Sequence, residues 1–148
     1  MAINFYTPKY YVFNNFSAHS IEYRGKLYPT SEHAYQATKC TDPVGQETIR
    51  RARSPLQAKT LANETYRAAK DPDWGRKKVG VLEEILRAKL EQHAEAREAL
   101  KDSGREDIVE DSPTDYFWGE GADGSGQNML GKLWMKLRDD FRANQVDS

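Results

Sequence analysis

The sequence predicts an α+β fold: a predominantly helical single domain with a small antiparallel β-sheet formed by the N-terminal strands. Short alternating apolar and polar segments occur before Tyr28, whereas helix-start signals and helical apolar spacing dominate after it. A chain of 148 residues has the length of one domain. We therefore expect a single domain over residues 1–148.

Three short segments near the N-terminus have strand patterns. Residues 2–6 alternate around Ile3 and Phe5. Residues 21–23 and 27–28 flank Arg24-Gly25-Lys26, a combination typical of a tight hairpin. The aromatic run at residues 10–16 is interrupted by two asparagines, which indicates a turn.

The segment from Tyr28 to Cys40 predicts a helix that presents a polar face. Thr30 and Ser31 follow a proline and can cap the helix through their hydroxyls. Four side chains then share one face at helical spacing: Glu32, Tyr35, Gln36 and Lys39. Such a face is more often simply solvated. The alternative is that a small ligand lies along it and contacts both charged ends.

The next two helices begin at Asp42-Pro43 and Ser54-Pro55, since a capping residue followed by proline marks a helix start. Arg50 and Arg51 lie near their junction. A solvated basic face is the more common explanation in isolation. The functional alternative is an anion site, because arginines hold phosphate oxygens bidentately.

The longest helix is predicted to start at Asp71-Pro72-Asp73 and to break near His93, and a second helical segment follows as far as Ser103-Gly104. Trp74 lies in its first turn, where a tryptophan is more often a core side chain than a platform for a base. The remaining apolar residues form a wide stripe at helical spacing: Val81, Leu82, Ile85, Leu86 and Leu90.

A glycine-rich loop follows a short predicted strand at residues 107–110. Four glycines fall within residues 119–126, a density that excludes a helix or regular strand. Asp115, Tyr116 and Trp118 precede them, and a helix is expected from Asn128. The loop could cradle a phosphate at that helix start, although its spacing matches neither a Walker loop nor a dinucleotide fingerprint.

Composition restricts the functional classes. The formal net charge is −1, so nucleic-acid binding would require a local patch. A single cysteine, Cys40, excludes an internal disulfide framework and favours a reducing cytoplasm. Three histidines without cysteine partners predict no zinc site. The N-terminus has no apolar leader and no long apolar run follows it, so we expect a cytoplasmic protein without a membrane partner.

Several motifs in the same order closely resemble the NADAR family of YbiA-like N-glycosidases. The strongest is Tyr28-Pro-Thr-Ser-Glu-His-Ala-Tyr-Gln-Ala-Thr-Lys39. The others extend over nearly the whole chain: Asn4-Phe5-Tyr6, Asn15-Phe16, Gly25-Lys26, Ile49-Arg50-Arg51, Ser54-Pro55, Trp74, residues 86–93, and Tyr116-Phe-Trp-Gly119 through Leu130-Gly131. The resemblance implies cleavage of the bond between a ribose C1 and a base nitrogen. It implies as substrates either ADP-ribosylated guanine or phosphorylated ribosylaminopyrimidine intermediates of riboflavin synthesis.

Breaking that bond builds positive charge on the sugar, which a nearby carboxylate stabilises while it activates water. Glu32 is the first candidate and Asp115 the second. Lys39 is the third catalytic candidate, either as a plain cation for phosphate or carboxylate or, with a lowered pKa, as a Schiff-base nucleophile. The resemblance to the ADP-ribosyl-guanine branch implies the second role.

The expected substrate-binding residues come from stacking chemistry and from the resemblance. Aromatic side chains offer surfaces for the leaving base, and the resemblance implies that the Trp74 position belongs to the active site. The full set is Asn15, Phe16, Arg50, Arg51, Trp74, Tyr116, Trp118, Gly119 and Asn128. We expect the pocket between the Glu32 helix, the Trp74 helix end and the loop at residues 115–128, with no cofactor and no metal.

Two alternatives to an N-glycosidase stay open at this level. One is a non-catalytic module that binds ADP-ribose or NAD, and the other is a helical domain that only binds a partner. The joint presence of Glu32, Lys39, Trp74, Asp115 and Trp118 favours the enzyme. The expected partner is a small ribosyl or ADP-ribosyl substrate, with ADP-ribosylated nucleic acid as a further candidate and no obligate protein partner.

Overall fold

The computed structural model describes residues 2–146. Its backbone contacts divide into two compact units. We call residues Asn15–Gln92 the central unit and residues 2–14 with 93–146 the terminal unit. The regular elements of the central unit are β2 (Ile21–Tyr23), β3 (Lys26–Tyr28), α1 (Ser31–Lys39), α2 (Pro43–Arg50), α3 (Pro55–Thr60) and α4 (Trp74–Gln92). Those of the terminal unit are β1 (Ile3–Asn4), α5 (Ala94–Asp102), β4 (Ile108–Val109) and α6 (Met129–Val146).

The central unit opens with the predicted hairpin. Strands β2 and β3 pair antiparallel, with Ile21 opposite Tyr28. Arg24 and Gly25 both have positive φ, at 51° and 81°, which is the backbone of a two-residue turn whose twist matches the strands. The antiparallel sheet expected near the N-terminus is therefore confirmed.

Helix α1 lies at the centre of its unit. The Thr30 hydroxyl caps it by accepting a hydrogen bond from the His33 amide. The helix packs against α2, α3 and α4, and every residue from Ser31 to Ala37 is buried. Its lack of a single apolar stripe follows from this position, because a helix surrounded by neighbours has no solvent face.

The other helix starts of the central unit also follow the sequence signals. Asp42 accepts a hydrogen bond from the Val44 amide, and Ser54 accepts one from the Gln57 amide. After α3 the chain forms a π-helical turn, Leu61–Thr65, and a 3-10 turn, Arg67–Ala69. These irregular turns had no sequence signal.

Helix α4 is the longest helix within residues 2–146, and its predicted stripe is buried throughout: Trp74, Val81, Leu82, Ile85, Leu86 and Leu90. It ends at Gln92, and α5 begins after the break at His93, as predicted. Lys89 is fully buried beside this stripe, and its ammonium donates to the Ser17 hydroxyl at 2.7 Å. That bond ties the helix to the segment before β2.

The terminal unit contains a strand pairing that the sequence did not predict. Strand β1 pairs in parallel with β4, Ile3 opposite Ile108, rather than joining the hairpin. The two strands are separated by about a hundred residues, so no local turn signal could announce the pairing. Around them Trp134 of α6 is fully buried and donates through Nε1 to the Phe13 carbonyl at 3.0 Å.

Within residues 2–146, no helix combines the length and apolar character that a membrane-crossing segment needs.

Candidate active site

Glu32 is a buried carboxylate in the first turn of α1. Its side chain is only 7% exposed, so the solvated-face alternative does not hold for this residue. Its amide donates to the Asn15 carbonyl at 3.1 Å, and its Oε1 accepts a hydrogen bond from Gln36 Nε2 at 2.7 Å. The helix N-terminus favours negative charge at this position. The carboxylate is thus both held in place and shielded from water.

Lys39 ends the same helix and is half-buried. Its ammonium donates to Asn63 Oδ1 from the π-helical turn. Burial lowers the pKa of Lys39 most strongly and neighbouring lysines lower it further, Lys70 most among them, whereas the Glu32 carboxylate raises it. An amine with a lowered pKa loses its proton more readily than a solvated lysine, which favours the nucleophile role, whereas the cation role requires the protonated form.

Three further lysines lie within electrostatic reach of Lys39. They come from separate elements: Lys59 from α3, Lys70 from the turn before α4, and Lys78 from α4. Lys70 is brought to the end of α1 by a backbone bridge to Cys40, and the neighbouring Asp71 amide donates to the Lys39 carbonyl at 2.9 Å. This lysine group, Lys39 with Lys59, Lys70 and Lys78, was not predicted because it is assembled from distant segments.

Arg50 and Arg51, the predicted anion ligands, both bind Glu47. Arg50 donates to both Glu47 oxygens and to the Leu27 carbonyl, and Arg51 Nε donates to Glu47 Oε1 at 2.7 Å. Hydrogen bonds from Arg50 and then Arg51 lower the pKa of Glu47 to about 2. Their substrate contact stays a prediction, but both guanidinium groups already have a carboxylate partner.

Trp74 is 3% exposed and packs edge-on against Tyr35, with ring centroids 5.1 Å apart. It contributes to the wall of a groove of about 530 Å³, which also includes Thr38 and Gly80 but neither Glu32 nor Lys39. The indole is therefore mainly a core side chain, as its position in the stripe indicates. A stacking role for Trp74 stays a prediction, as does substrate contact by the half-buried Phe16.

Asp115 shapes the start of the glycine-rich loop. Its Oδ1 accepts hydrogen bonds from the Phe117 amide at 3.0 Å and the Trp118 amide at 2.8 Å. Tyr116 is 47% exposed, and its hydroxyl accepts a bond from the Ala122 amide. Trp118 is half-buried and meets the Phe117 ring edge-on at 4.7 Å. Catalysis by Asp115 and stacking on Tyr116 or Trp118 stay predictions.

The end of the loop is closely packed against β4. A Cβ on the buried Gly119 would lie 2.8 Å from the Glu110 carbonyl, so this position requires glycine. Asn128 adopts φ 50°, and its side-chain amide bonds to the backbone of Glu110 and Ile108. These contacts give both residues structural roles, and their contact with substrate stays a prediction.

The amides at the start of α6 already have acceptors. The Met129 amide donates to the Phe117 carbonyl at 2.9 Å, and the Leu130 amide donates to the Trp118 carbonyl at 3.1 Å. A phosphate cradle needs free amides. The loop carbonyls occupy these two, which argues against a cradle at this helix start.

The candidate residues fall in both units. The central unit holds Asn15, Phe16, Glu32, Lys39, Arg50, Arg51 and Trp74, and the terminal unit holds Asp115, Tyr116, Trp118, Gly119 and Asn128. Within the central unit, Glu32 and Lys39 are brought into electrostatic contact at the two ends of α1. That all the candidates line a single pocket stays a prediction.

The chain is similar to known proteins over nearly its whole length. The model of a family described as the NADAR domain matches residues 4–142. The Escherichia coli protein named N-glycosidase YbiA is 41% identical over 139 residues, which is 93% of this chain and 86% of that protein. A Nostoc punctiforme protein, N-glycosidase Npun_R5314, is 38% identical over 147 residues, covering 96% of this chain and 94% of the relative.

Two further matches concern riboflavin synthesis and the fold. A chloroplastic riboflavin biosynthesis protein of Zea mays, PYRR, is 31% identical over 143 residues, which cover 87% of this chain and 23% of that longer protein. The NMR structure of Escherichia coli YbiA superimposes with a TM-score of 0.90 at 38% identity. The superposition covers 100% of this chain and 89% of the YbiA chain. This match confirms the predicted α+β fold.

Proposed function

Because the chain belongs to the NADAR family and is an enzyme of the N-glycosidase type, we propose that it hydrolyses a phosphorylated ribosyl compound at C1 with Glu32 as the central carboxylate. The substrate is ADP-ribosylated guanine or a phosphorylated ribosylaminopyrimidine. The observation that carries this proposal is the buried Glu32 carboxylate, held by Gln36 on the same helix as a half-buried lysine. The N-glycosidase relatives disfavour the module that only binds ADP-ribose.

In the proposed reaction the C1–N bond breaks with its electrons moving to the base nitrogen, which takes up a proton. The sugar becomes positively charged as this happens, and the Glu32 carboxylate stabilises that charge. Water then adds to C1 and gives a proton to the carboxylate. A carboxylate with little exposure to water is effective here, because the interaction with the developing charge is weakly screened.

Lys39 has two roles compatible with this reaction. As a cation it holds a phosphate or carboxylate of the substrate. As a neutral amine it attacks C1 of the opened sugar, the base leaves, and water hydrolyses the resulting imine. The lowered pKa of Lys39 makes the neutral amine more accessible than in a solvated lysine.

The lysine group supports a phosphorylated substrate. Lys59 and Lys70 are exposed, and within the described residues neither of them takes part in an ion pair. Three ammonium groups within electrostatic reach of Lys39 favour a ligand that carries several negative charges. Both substrate classes meet this requirement, through a diphosphate or a phosphate.

The experiment that tests the proposal is mass spectrometry of base release from the two substrates in parallel. Wild type is compared with Glu32→Gln, and Glu64→Gln serves as the matched control because Glu64 is exposed in the π-helical turn. We expect wild type and Glu64→Gln to release a base from at least one substrate and Glu32→Gln to release it at least about 10²-fold more slowly. Release from neither substrate by wild type contradicts the proposal.

The two roles of Lys39 are separated by reduction with borohydride during turnover. An imine intermediate leaves a sugar adduct on the Lys39 peptide, which mass spectrometry detects. Lys39→Arg keeps the charge but cannot form the imine, and Lys26→Arg at an exposed site of β3 is the control. An adduct that forms in wild type and Lys26→Arg but not in Lys39→Arg supports Lys39 as the nucleophile. If the enzyme releases base without forming an adduct, Lys39 acts as a cation.

A further inference from the structure

Three buried side-chain oxygens around Glu32 have no hydrogen-bond partner within residues 2–146. They are Asn15 Oδ1, Ser31 Oγ and Gln36 Oε1. Buried polar atoms without a partner are rare in folded proteins, and each one requires an explanation. Asn15 and Gln36 hydrogen-bond to Glu32 and Ser31 precedes it in the chain, so a ligand that binds beside Glu32 would explain all three.

The orientation of the Gln36 amide follows from its contact with Glu32. Its Nε2 donates to the Glu32 carboxylate at 2.7 Å, because an amide oxygen facing a carboxylate would be repelled. Its Oε1 is therefore an acceptor directed elsewhere, on a side chain that is only 3% exposed. Gln36 holds the carboxylate with one atom and leaves the other atom for a ligand.

The backbone of Asn15 hydrogen-bonds to Glu32. Its carbonyl accepts the Glu32 amide at 3.1 Å, at the start of α1. The side-chain oxygen of Asn15 is a second acceptor that lacks a donor. Glu32 and these two amide oxygens are all acceptors, so a ligand that binds beside them has to supply donors.

A ribose supplies such donors through its neighbouring hydroxyls at C2 and C3. The proposed function requires the Glu32 carboxylate to face C1 of the ribose. The C2 hydroxyl is on the neighbouring carbon, so the Gln36 amide, which bonds to that carboxylate, can reach it. Hydrogen bonds to this hydroxyl strengthen as positive charge develops on the sugar. Recognition of the hydroxyl would therefore aid both binding and bond cleavage.

We propose that Gln36 and Asn15 recognise the sugar, with Gln36 Oε1 and Asn15 Oδ1 accepting hydrogen bonds from the vicinal hydroxyls of the ribose. This inference rests on the proposed function for the position of C1. It makes Gln36 a specificity-determining residue that selects ribosyl over 2-deoxyribosyl compounds.

The test measures sugar binding directly and needs no turnover. Ribose 5-phosphate and 2-deoxyribose 5-phosphate are titrated by calorimetry into wild type, Gln36→Met and Gln46→Met. Methionine matches the length of glutamine without its amide. Gln46→Met is the matched control, because Gln46 also donates through Nε2 inside the central unit, to the Cys40 carbonyl at 2.6 Å.

We expect wild type and Gln46→Met to bind ribose 5-phosphate about tenfold more tightly than the 2-deoxy sugar, the effect of one hydrogen bond to a buried acceptor. In Gln36→Met the two affinities should become equal within about twofold. Equal binding of both sugars by wild type overturns the inference even if Gln36→Met fails to fold. A preference that persists in folded Gln36→Met also overturns it.

Base release distinguishes failure of this inference from failure of the proposed function. An enzyme that releases a base but does not discriminate the sugars keeps the proposed function and refutes ribose recognition by Gln36. A protein that prefers ribose 5-phosphate through Gln36 but releases no base keeps the recognition and refutes the proposed function.

Discussion

Glu32 owes its chemical character to burial rather than to its place in the sequence. Helical spacing puts Gln36 one turn after it, and the structure has the corresponding hydrogen bond. Burial of Glu32 could not be derived from that spacing, because the neighbours that cover α1 come from α2, α3 and α4. The sequence therefore predicts the side-chain pair but not its exclusion from water.

The spacing of Glu47, Arg50 and Arg51 is a sequence signal for ion pairs at the end of helix α2. Glu47 lies three residues before Arg50 and four before Arg51, which is the spacing of helical ion pairs. Both pairs form in the structure. Glu47 therefore neutralises part of the positive charge on which the predicted anion site depends.

The lowered pKa of Lys39 predicts a distinctive pH profile. Its ordinary value is 10.5, and burial moves its deprotonation to lower pH. We expect kcat/KM to have a limb in the alkaline range that is absent in Lys39→Arg, since arginine stays protonated there. If kcat/KM rises with pH in this range, Lys39 acts as a neutral nucleophile. If kcat/KM falls, Lys39 acts as a cation.

The measurement is kcat/KM from about pH 6 to about pH 9, a range over which an unperturbed lysine stays almost fully protonated. Lys26→Arg is the control and should keep the wild-type profile. Identical profiles for wild type and Lys39→Arg would show that Lys39 does not titrate in the reaction.

At the scale of elements, capping signals predicted the helix starts well because they act locally. Thr30, Asp42 and Ser54 each accept the amide bond that their position predicts. The π-helical turn after α3 and the parallel pairing of β1 with β4 were not predictable, because distant parts of the chain set them. Local chemistry specifies where a helix begins, but not which strand lies beside another.

His33 predicts how α1 responds to acid. Its Nδ1 meets the Thr30 hydroxyl at 2.8 Å and its Nε2 the Ala52 carbonyl at 3.0 Å. Burial lowers its pKa below the ordinary 6.5, so the unfolded chain binds the proton more readily. This stabilising contribution is complete above about pH 6.5 and is lost as the pH falls from there towards the folded-state pKa.

We expect the melting temperature of wild type to fall more between about pH 7.5 and pH 5 than that of His33→Gln, which cannot take up this proton. Thermal unfolding followed by circular dichroism measures the difference. His93→Gln, at the break before α5, is the control and should follow wild type. Equal losses in wild type and His33→Gln would contradict the account of His33.

The close approach of α6 to β4 gives a second prediction at this scale. A Cβ on Gly131 would lie 2.0 Å from the Ile108 carbonyl, whereas one on Gly80 in α4 would meet nothing within 4 Å. Gly131→Ala should lower the free energy of unfolding by about 1–3 kcal/mol or more. Gly80→Ala should raise it by up to about 1 kcal/mol, since alanine favours a helix.

Urea unfolding at fixed protein concentration measures both variants. A Gly131→Ala protein as stable as Gly80→Ala would show that α6 does not approach β4 as closely as the structure has it.

At the scale of the whole molecule, family resemblance predicted the fold more fully than periodicity did. Helical spacing and caps predict most of the helices, whereas the TM-score of 0.90 to Escherichia coli YbiA confirms the predicted α+β fold. Overall charge does not predict local charge, because the net value of −1 conceals a group of three lysines around Lys39. That group forms only when α1, α3, α4 and the turn at Lys70 come together.

The lysine group predicts how substrate affinity depends on salt. The double variant Lys59→Gln/Lys70→Gln removes two exposed charges and should raise KM for the phosphorylated substrate about tenfold at low salt. The difference from wild type should shrink at high ionic strength, since salt screens exposed charges. Lys26→Gln/Lys101→Gln removes the same charge elsewhere and should leave KM within about twofold.

Steady-state kinetics at several salt concentrations provide the measurement. Equal effects of the two double variants would show that overall charge, and not this lysine group, attracts the substrate.

The central claim is that the buried Glu32 carboxylate breaks the C1–N bond. The most direct measurement compares Glu32→Gln with wild type in two quantities, the rate constant of base release in a single turnover and the dissociation constant of the substrate. The account predicts a rate lower by about 10²- to 10⁴-fold, the usual contribution of such a group, with a dissociation constant within about threefold. An unchanged rate constant of base release in Glu32→Gln would contradict the central claim. A change in the dissociation constant alone would contradict it as well.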